Sequence, residues 1–130
     1  MQPTLKEKLN RPGRTAMGVL VVEDVPDVAL TFAALIRACG HRTQVAYNAT
    51  DALRIATEFR PQTIFIDIGL PDTNGFELAK QLGAMDSLKH TRLIAISGRE
   101  IDEQEADAAG FDLHLRKPIR MESLLDILGC

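Results

Sequence analysis

Thr63-Ile64-Phe65-Ile66-Asp67-Ile68-Gly69-Leu70-Pro71 is the stretch that decides the fold: an unbroken apolar run, then a carboxylate, then a turn. A strand with water on one face alternates polar and apolar residues. An unbroken run reads instead as a strand buried on both faces, as in a parallel sheet with helices on either side. Two further runs have the same character, Val19-Leu20-Val21-Val22 and Leu93-Ile94-Ala95-Ile96. Arg42 to Ala46 and Phe111 to Leu115 alternate polar with apolar residues and are expected at the sheet edges.

Helical patterns fill the intervals. Val28, Phe32, Leu35, Ile36 and Cys39 form a stripe closed by Gly40. Ala52, Ile55, Ala56 and Phe59 form a second between Asn48 and Pro61, and Phe76, Ala79 and Leu82 a short third. Met121, Leu124, Leu125 and Leu128 give the fifth. Between Glu100 and Ala109 the stripe is thin, so the fourth helix is expected to be loosely held and partly exposed. This pattern predicts an α/β domain, a doubly wound five-stranded parallel sheet flanked by five helices with right-handed crossovers. With the second and fifth strands at the edges, the order 2-1-3-4-5 fits. The switch point then falls between strands one and three, where such folds bind ligands at the carboxyl ends.

The 130 residues suit one domain, and 45% apolar with 25% charged residues is ordinary globular composition. Neither a signal peptide nor an apolar run of about 20 residues is present, so a soluble, cytoplasmic protein without membrane association is expected. The net charge of −3 is uneven, because Lys6, Lys8, Arg11 and Arg14 against Glu7 give the first 18 residues +3 and leave −6 for the remainder. Residues 1–17 read as a flexible basic leader or linker and 18–130 as the folded domain, whose acidity argues against direct nucleic-acid binding. Cys39 and Cys130 lack C-x-x-C spacing and read as reduced thiols.

Topology directs attention to the ends of strands one and three, where Glu23, Asp24 and Asp67 stand. Three carboxylates in one place repel unless a cation lies among them, and their hard oxygens suit a water-rich Mg²⁺ site. The simpler reading is that Asp24 caps the helix near Pro26, Asp67 caps the turn to Pro71, and Glu23 is solvated. Ser97 ends the fourth strand and Lys117 follows the fifth, at the same edge. Lys117 would pair with Asp67 and then with phosphoryl oxygens, and Ser97 would donate to the same group. Alone, each is as well explained as a turn serine or a surface lysine.

The runs VLVVEDVPD, IFIDIGLPDTNGFEL, AISG and LRKPI, in this order from about Gly18 to Leu128, resemble the receiver domain of two-component response regulators, a flavodoxin-like fold. The resemblance implies a phosphoacceptor domain rather than an enzyme, one that catalyses only its own phosphorylation and dephosphorylation. It makes Asp67 the acceptor of a phosphoryl group from the phosphohistidine of a histidine kinase or histidine phosphotransfer protein. It makes Asp24, Asp67 and the Gly69 carbonyl the Mg²⁺ ligands, with Glu23 acting through water. It makes Ser97 the switch hydroxyl and Lys117 the phosphate-facing lysine, with a cis bond to Pro118. His114 departs from the family's usual tyrosine or phenylalanine at the second switch position. The style of GFDLHLRKP resembles receivers of hybrid sensor kinases. The signalling surface is expected on the fourth helix, fifth strand and fifth helix, and a homodimer through that face is a further expectation. A metal-dependent aspartyl phosphatase would need an acid two residues after Asp67, where Gly69 stands. A flavin or nucleotide carrier would need a phosphate loop in place of Val25-Pro26-Asp27.

Overall fold

The computed structural model describes residues 16–130; most of the basic leader, residues 1–15, lies outside them. The elements are β1 (Gly18–Val22), α1 (Pro26–Ala38), β2 (Arg42–Ala46), α2 (Ala49–Phe59), β3 (Thr63–Asp67), α3 (Gly75–Gly83), a 3-10 turn at Asp86–Leu88, β4 (Arg92–Ser97), α4 (Glu103–Ala109), β5 (Leu113–Arg116) and α5 (Met121–Leu128). The sheet is parallel throughout, in the order β2-β1-β3-β4-β5, as the hydrophobic runs predict.

Side-chain alternation along each strand explains why the central runs are unbroken. Val19, Val21, Phe65, Ile94 and Ile96 face α1 and α5, where they pack with Ile36, Leu124, Leu125 and Leu128. Leu20, Val22, Ile64, Ile66, Leu93 and Ala95 face the other way, against α2, α3 and α4. Both faces are therefore dry, and the polar ends of the strands are left to form the site.

Helix starts are fixed locally. Asn48, Asn74 and Asp102 each accept a backbone N–H in the first turn of α2, α3 and α4. α1 instead starts with Pro26 and has no side-chain cap, so Asp24 does not serve as the cap that the simpler reading assigns to it. α4 begins at Glu103 rather than Glu100 and buries only Ala106 and Ala109, in keeping with its thin stripe.

Three expectations change in the structure. On α1 Ile36 and Cys39 of the expected stripe are buried, but Val28 is 42% exposed, and Ala29 and Ala33 take the core positions nearer the start of the helix. The apolar arc of α1 is wider than the sheet can cover, and close approach selects its small residues. The fifth strand starts at Leu113, not Phe111; Phe111 is buried with its ring edge-on to Phe76, 6.1 Å between centroids. Cys39 and Cys130, expected as reduced thiols, form a disulfide across 91 residues, with Cα atoms 5.9 Å apart. α1 and α5 lie on the same sheet face and run in the same direction, which brings their C-terminal ends together, a proximity that sequence spacing does not reveal.

Candidate functional site

The sheet delivers four charged side chains to one point. Beyond the last β1 residue, the Glu23 N–H still donates to the Ala46 carbonyl at 3.0 Å. This continuation of the ladder turns Glu23 inward, where it is buried rather than solvated. Asp24 follows at the mouth, half-buried. Asp67 is the last residue of β3 and is buried. Carboxylate oxygens of Glu23, Asp24 and Asp67 lie within 4.8 Å of one another.

Lys117 enters from the neighbouring edge. Its N–H donates to the Ser97 carbonyl at 2.8 Å, extending the β4–β5 pairing, and its bond to Pro118 is cis. Its ammonium donates to Glu23 Oε1 at 2.9 Å and to Asp67 Oδ2 at 3.0 Å. Asp67 Oδ1 accepts the Gly69 N–H at 2.9 Å, so Asp67 organises its own turn while the other oxygen meets the lysine. Two adjacent buried carboxylates facing one ammonium divide their protons unequally. Burial, then the hydrogen bond with Asp67, pushes Glu23 up to about 7. Burial pushes Asp67 up as well, but the bonds it accepts from Glu23, Gly69 and Lys117 outweigh that and hold it below its ordinary value. Burial would lower Lys117, but its two carboxylate partners outweigh that and raise it.

Among the described residues Glu23 Oε2 is buried with no hydrogen-bond partner. An unpartnered carboxylate oxygen beside two further carboxylates, with one ammonium to offset three acids, is the donor set a hard cation completes. The residues present therefore fit Mg²⁺.

The loop after β3 is anchored by features that motif reading missed. Asp72 accepts from the Ala49 N–H at 2.9 Å, the Thr50 N–H at 3.0 Å and the Thr50 hydroxyl at 3.0 Å, tying the loop to the start of α2. These bonds, the Ala49 N–H foremost, hold Asp72 below the ordinary carboxylate range. Its position in a Pro-Asp turn was the available signal. Gly69 and Asn74 form an isolated bridge across the loop. At Gly75 a Cβ would stand 2.8 Å from Ile68 Cα and 2.9 Å from the Asp67 carbonyl, so α3 approaches the site as closely as it does only with glycine there.

Ser97 ends β4 beside Asp67 and is buried, but its hydroxyl is engaged with Arg99, donating to the carbonyl at 2.5 Å and accepting the N–H at 3.1 Å. His114 is exposed on β5, level with Ala95, and lines a cavity with Ser97, Arg99, Glu100 and Ile101. Of the residues singled out in the sequence, Glu23, Asp24, Asp67 and Lys117 thus converge, Gly69 and Ser97 border them, and His114 stands one strand further away.

Fold and site together define a doubly wound α/β domain with a lysine-clamped carboxylate cluster at its switch point. The chain belongs to the response regulator receiver domain family, whose model matches residues 19–129. It is 33% identical over 112 residues to the polar-differentiation response regulator DivK of Brucella anthropi, covering 85% of this chain and 91% of that protein. Among solved structures it resembles a CheY-like receiver domain from Methylobacillus flagellatus, with TM-score 0.80 and 36% identity over 88% of this chain and 97% of the other. It also resembles the receiver domain of the sensor histidine kinase PA1611 from Pseudomonas aeruginosa PAO1, whose structure has a magnesium ion coordinated in the active site cleft. There the TM-score is 0.77, with 26% identity over 88% of this chain and 95% of the other. No helix among the described residues is long and apolar enough to cross a membrane.

Proposed function

We propose that this domain accepts a phosphoryl group on Asp67 from a phosphohistidine in a Mg²⁺-dependent reaction and relays the event through a protein-interaction face. The observation that carries the reading is the Lys117 ammonium shared between Asp67 and Glu23 beside the unpartnered Glu23 oxygen. Asp67, held below its ordinary value, is an ionised nucleophile. Its carboxylate oxygen takes the phosphoryl group as the P–N bond of the donor breaks, which yields an acyl phosphate and leaves the electron pair on the histidine. Asp24, Asp67 and the Gly69 carbonyl would hold Mg²⁺ directly and Glu23 through water. The ion supplies charge neutralisation at the phosphoryl oxygens. Lys117 exchanges its carboxylate partner for a phosphoryl oxygen. Ser97 must leave Arg99 before it can donate to the same group.

A donor from a histidine kinase or histidine phosphotransfer protein has a surface to meet. Val28, Phe32 and Leu35 of α1, with Pro118, Ile119, Met121 and Leu124, line a largely apolar groove that reaches Lys117 and Gly98. That groove suits a helix carrying the phosphohistidine beside Asp67. Output is assigned to α4, β5 and α5. Ser97 borders this face, His114 lies on it, α4 is thinly packed, and Leu113 is 45% exposed for an output partner or a second copy to cover. The chain acts in the cytoplasm, without nucleic acid, and turns over only its own acyl phosphate. Incubation with acetyl phosphate and Mg²⁺ tests the reading. The wild type gains one phosphoryl mass that Asp67→Asn does not, and a chelator abolishes the gain; an equal gain in the variant or with chelator would refute it.

A further inference from the structure

α1 and α5 both leave the carboxyl edge of the sheet. α1 begins two residues past Asp24, and α5 begins four residues past Lys117. The first turns of both line the apolar groove beside the site. At the opposite edge their ends converge on one covalent feature, the disulfide between Cys39, which caps α1, and Cys130, two residues past α5.

Hydrogen bonds also hold the end of α5. Leu128 O pairs with His41 Nε2 at 2.8 Å, and because the His41 Nδ1 accepts the Met17 N–H at 3.0 Å, it is Nε2–H that donates. Arg92 donates to the Ile127 carbonyl at 2.8 Å, and the Cys130 N–H donates to the Leu125 carbonyl at 2.9 Å. α5 itself is only eight residues long. A helix this short keeps its shape through packing, and its terminal turn is the part that opens first. Both sulfurs are buried, so thiol exchange requires that opening. In the cytoplasm a disulfide in a domain with a full hydrophobic core is uncommon, and those that occur are mostly redox-active.

We infer that Cys39 and Cys130 form a redox-reversible clasp that sets the mobility of α5, and with it the geometry of the groove beside Lys117. The inference rests on the cytoplasmic, donor-accepting reading above. In the reducing direction two small thiols, such as two glutathiones, break the Sγ–Sγ bond. Their protons end on the two cysteines, and they leave as one disulfide, a balanced two-electron exchange. The oxidised form ties the C-terminal end of α5 to that of α1; the reduced form leaves that end held by its buried leucines and the hydrogen bonds of Ile127, Leu128 and Cys130.

The test uses the whole chain and requires no phosphoryl donor, so its outcome is independent of whether Asp67 is phosphorylated. The protein is equilibrated in glutathione buffers from fully reduced to mostly oxidised, quenched in acid, alkylated and weighed, and amide exchange is followed for both forms. The expected result is a reversible transition between no and two alkylated cysteines. Exchange across Met121–Leu128 should accelerate in the reduced form by at least about tenfold more than exchange in α3, whose smaller rise reports the global loss of stability. Cys39→Ser and Cys130→Ser should exchange at the reduced rate whatever the buffer. Thiols that stay alkylatable in oxidised glutathione, a bond that resists excess reduced glutathione, or equal exchange in α5 in the two forms would each overturn the inference. So would a uniform rise over the whole domain.

Discussion

Glu23 offers a quantitative test of the carboxylate cluster. Its acid sits at about 7 against an ordinary 4.5, chiefly because it is buried, so at neutral pH without metal it holds a proton about half the time. Mg²⁺ must displace that proton. The apparent dissociation constant should therefore be nearly flat above pH 8 and rise about tenfold per unit below pH 7. Calorimetric titrations in buffers of differing ionisation enthalpy should find close to one proton released per Mg²⁺ bound at pH 6 and almost none at pH 8. Linkage gives a second, opposite signature in the metal-free protein. Between pH 4.5 and about 7 the folded state retains a proton that the unfolded chain has lost, so stability is full below this window and falls as pH rises through it. A shift from 4.5 to about 7 corresponds to a loss of about 3 kcal/mol. Asp67 works the other way: held below its ordinary value, it contributes stability above about pH 4 that is lost as pH falls through its depressed value. Urea unfolding in chelator at pH 5 and 7.5 would measure the difference. Glu23→Gln, which keeps a neutral side chain at every pH, should flatten both profiles. An Mg²⁺ affinity that does not change between pH 8 and 6, or a Glu23→Gln variant with the wild-type pH dependence, would refute the reasoning.

Three other outcomes follow from named contacts. Gly75→Ala forces a Cβ against the Ile68 Cα and the Asp67 carbonyl, both below 3.0 Å; urea unfolding should register a loss of about 1–3 kcal/mol and slower phosphorylation, since the clash displaces the backbone of the acceptor itself. Lys117→Ala removes the one ammonium bonded to both Glu23 and Asp67, and the initial rate of acetyl phosphate labelling should fall about hundredfold or more with the fold retained by circular dichroism. Reduction of the Cys39–Cys130 bond, which closes a loop of 91-residue separation, should lower stability by roughly 4 kcal/mol, read from paired urea titrations with and without dithiol.

The sheet was legible because three strands needed apolar residues on both faces and so declared themselves parallel. Two alternating segments marked the edge strands, and the order 2-1-3-4-5 that fits them is the one observed. The site was legible because topology sends the residues after those strands to one point. Glu23, Asp24, Asp67 and Lys117 do meet there. The pairing of Cys39 with Cys130 was not legible, since it depends on where two helices end after the sheet has twisted beneath them. The core face of α1 was legible only in part: Ile36 and Cys39 are buried as the stripe predicts, but Val28 is exposed, and Ala29 and Ala33 let the helix approach the sheet. The tie from Asp72 to α2 escaped because it joins two loops distant in sequence. Ser97 was correctly located at the strand end, yet which neighbour its hydroxyl engages is a rotamer choice that no sequence pattern encodes.

Phosphorylation at the Asp67 carboxylate can be located by chemical trapping. After incubation with acetyl phosphate and Mg²⁺, borohydride reduces an aspartyl phosphate to homoserine, which peptide mass spectrometry locates by position. Homoserine at position 67, absent when chelator is added, is the predicted result. Homoserine at position 24 or elsewhere, or none despite a phosphoryl mass on the intact chain, would contradict it.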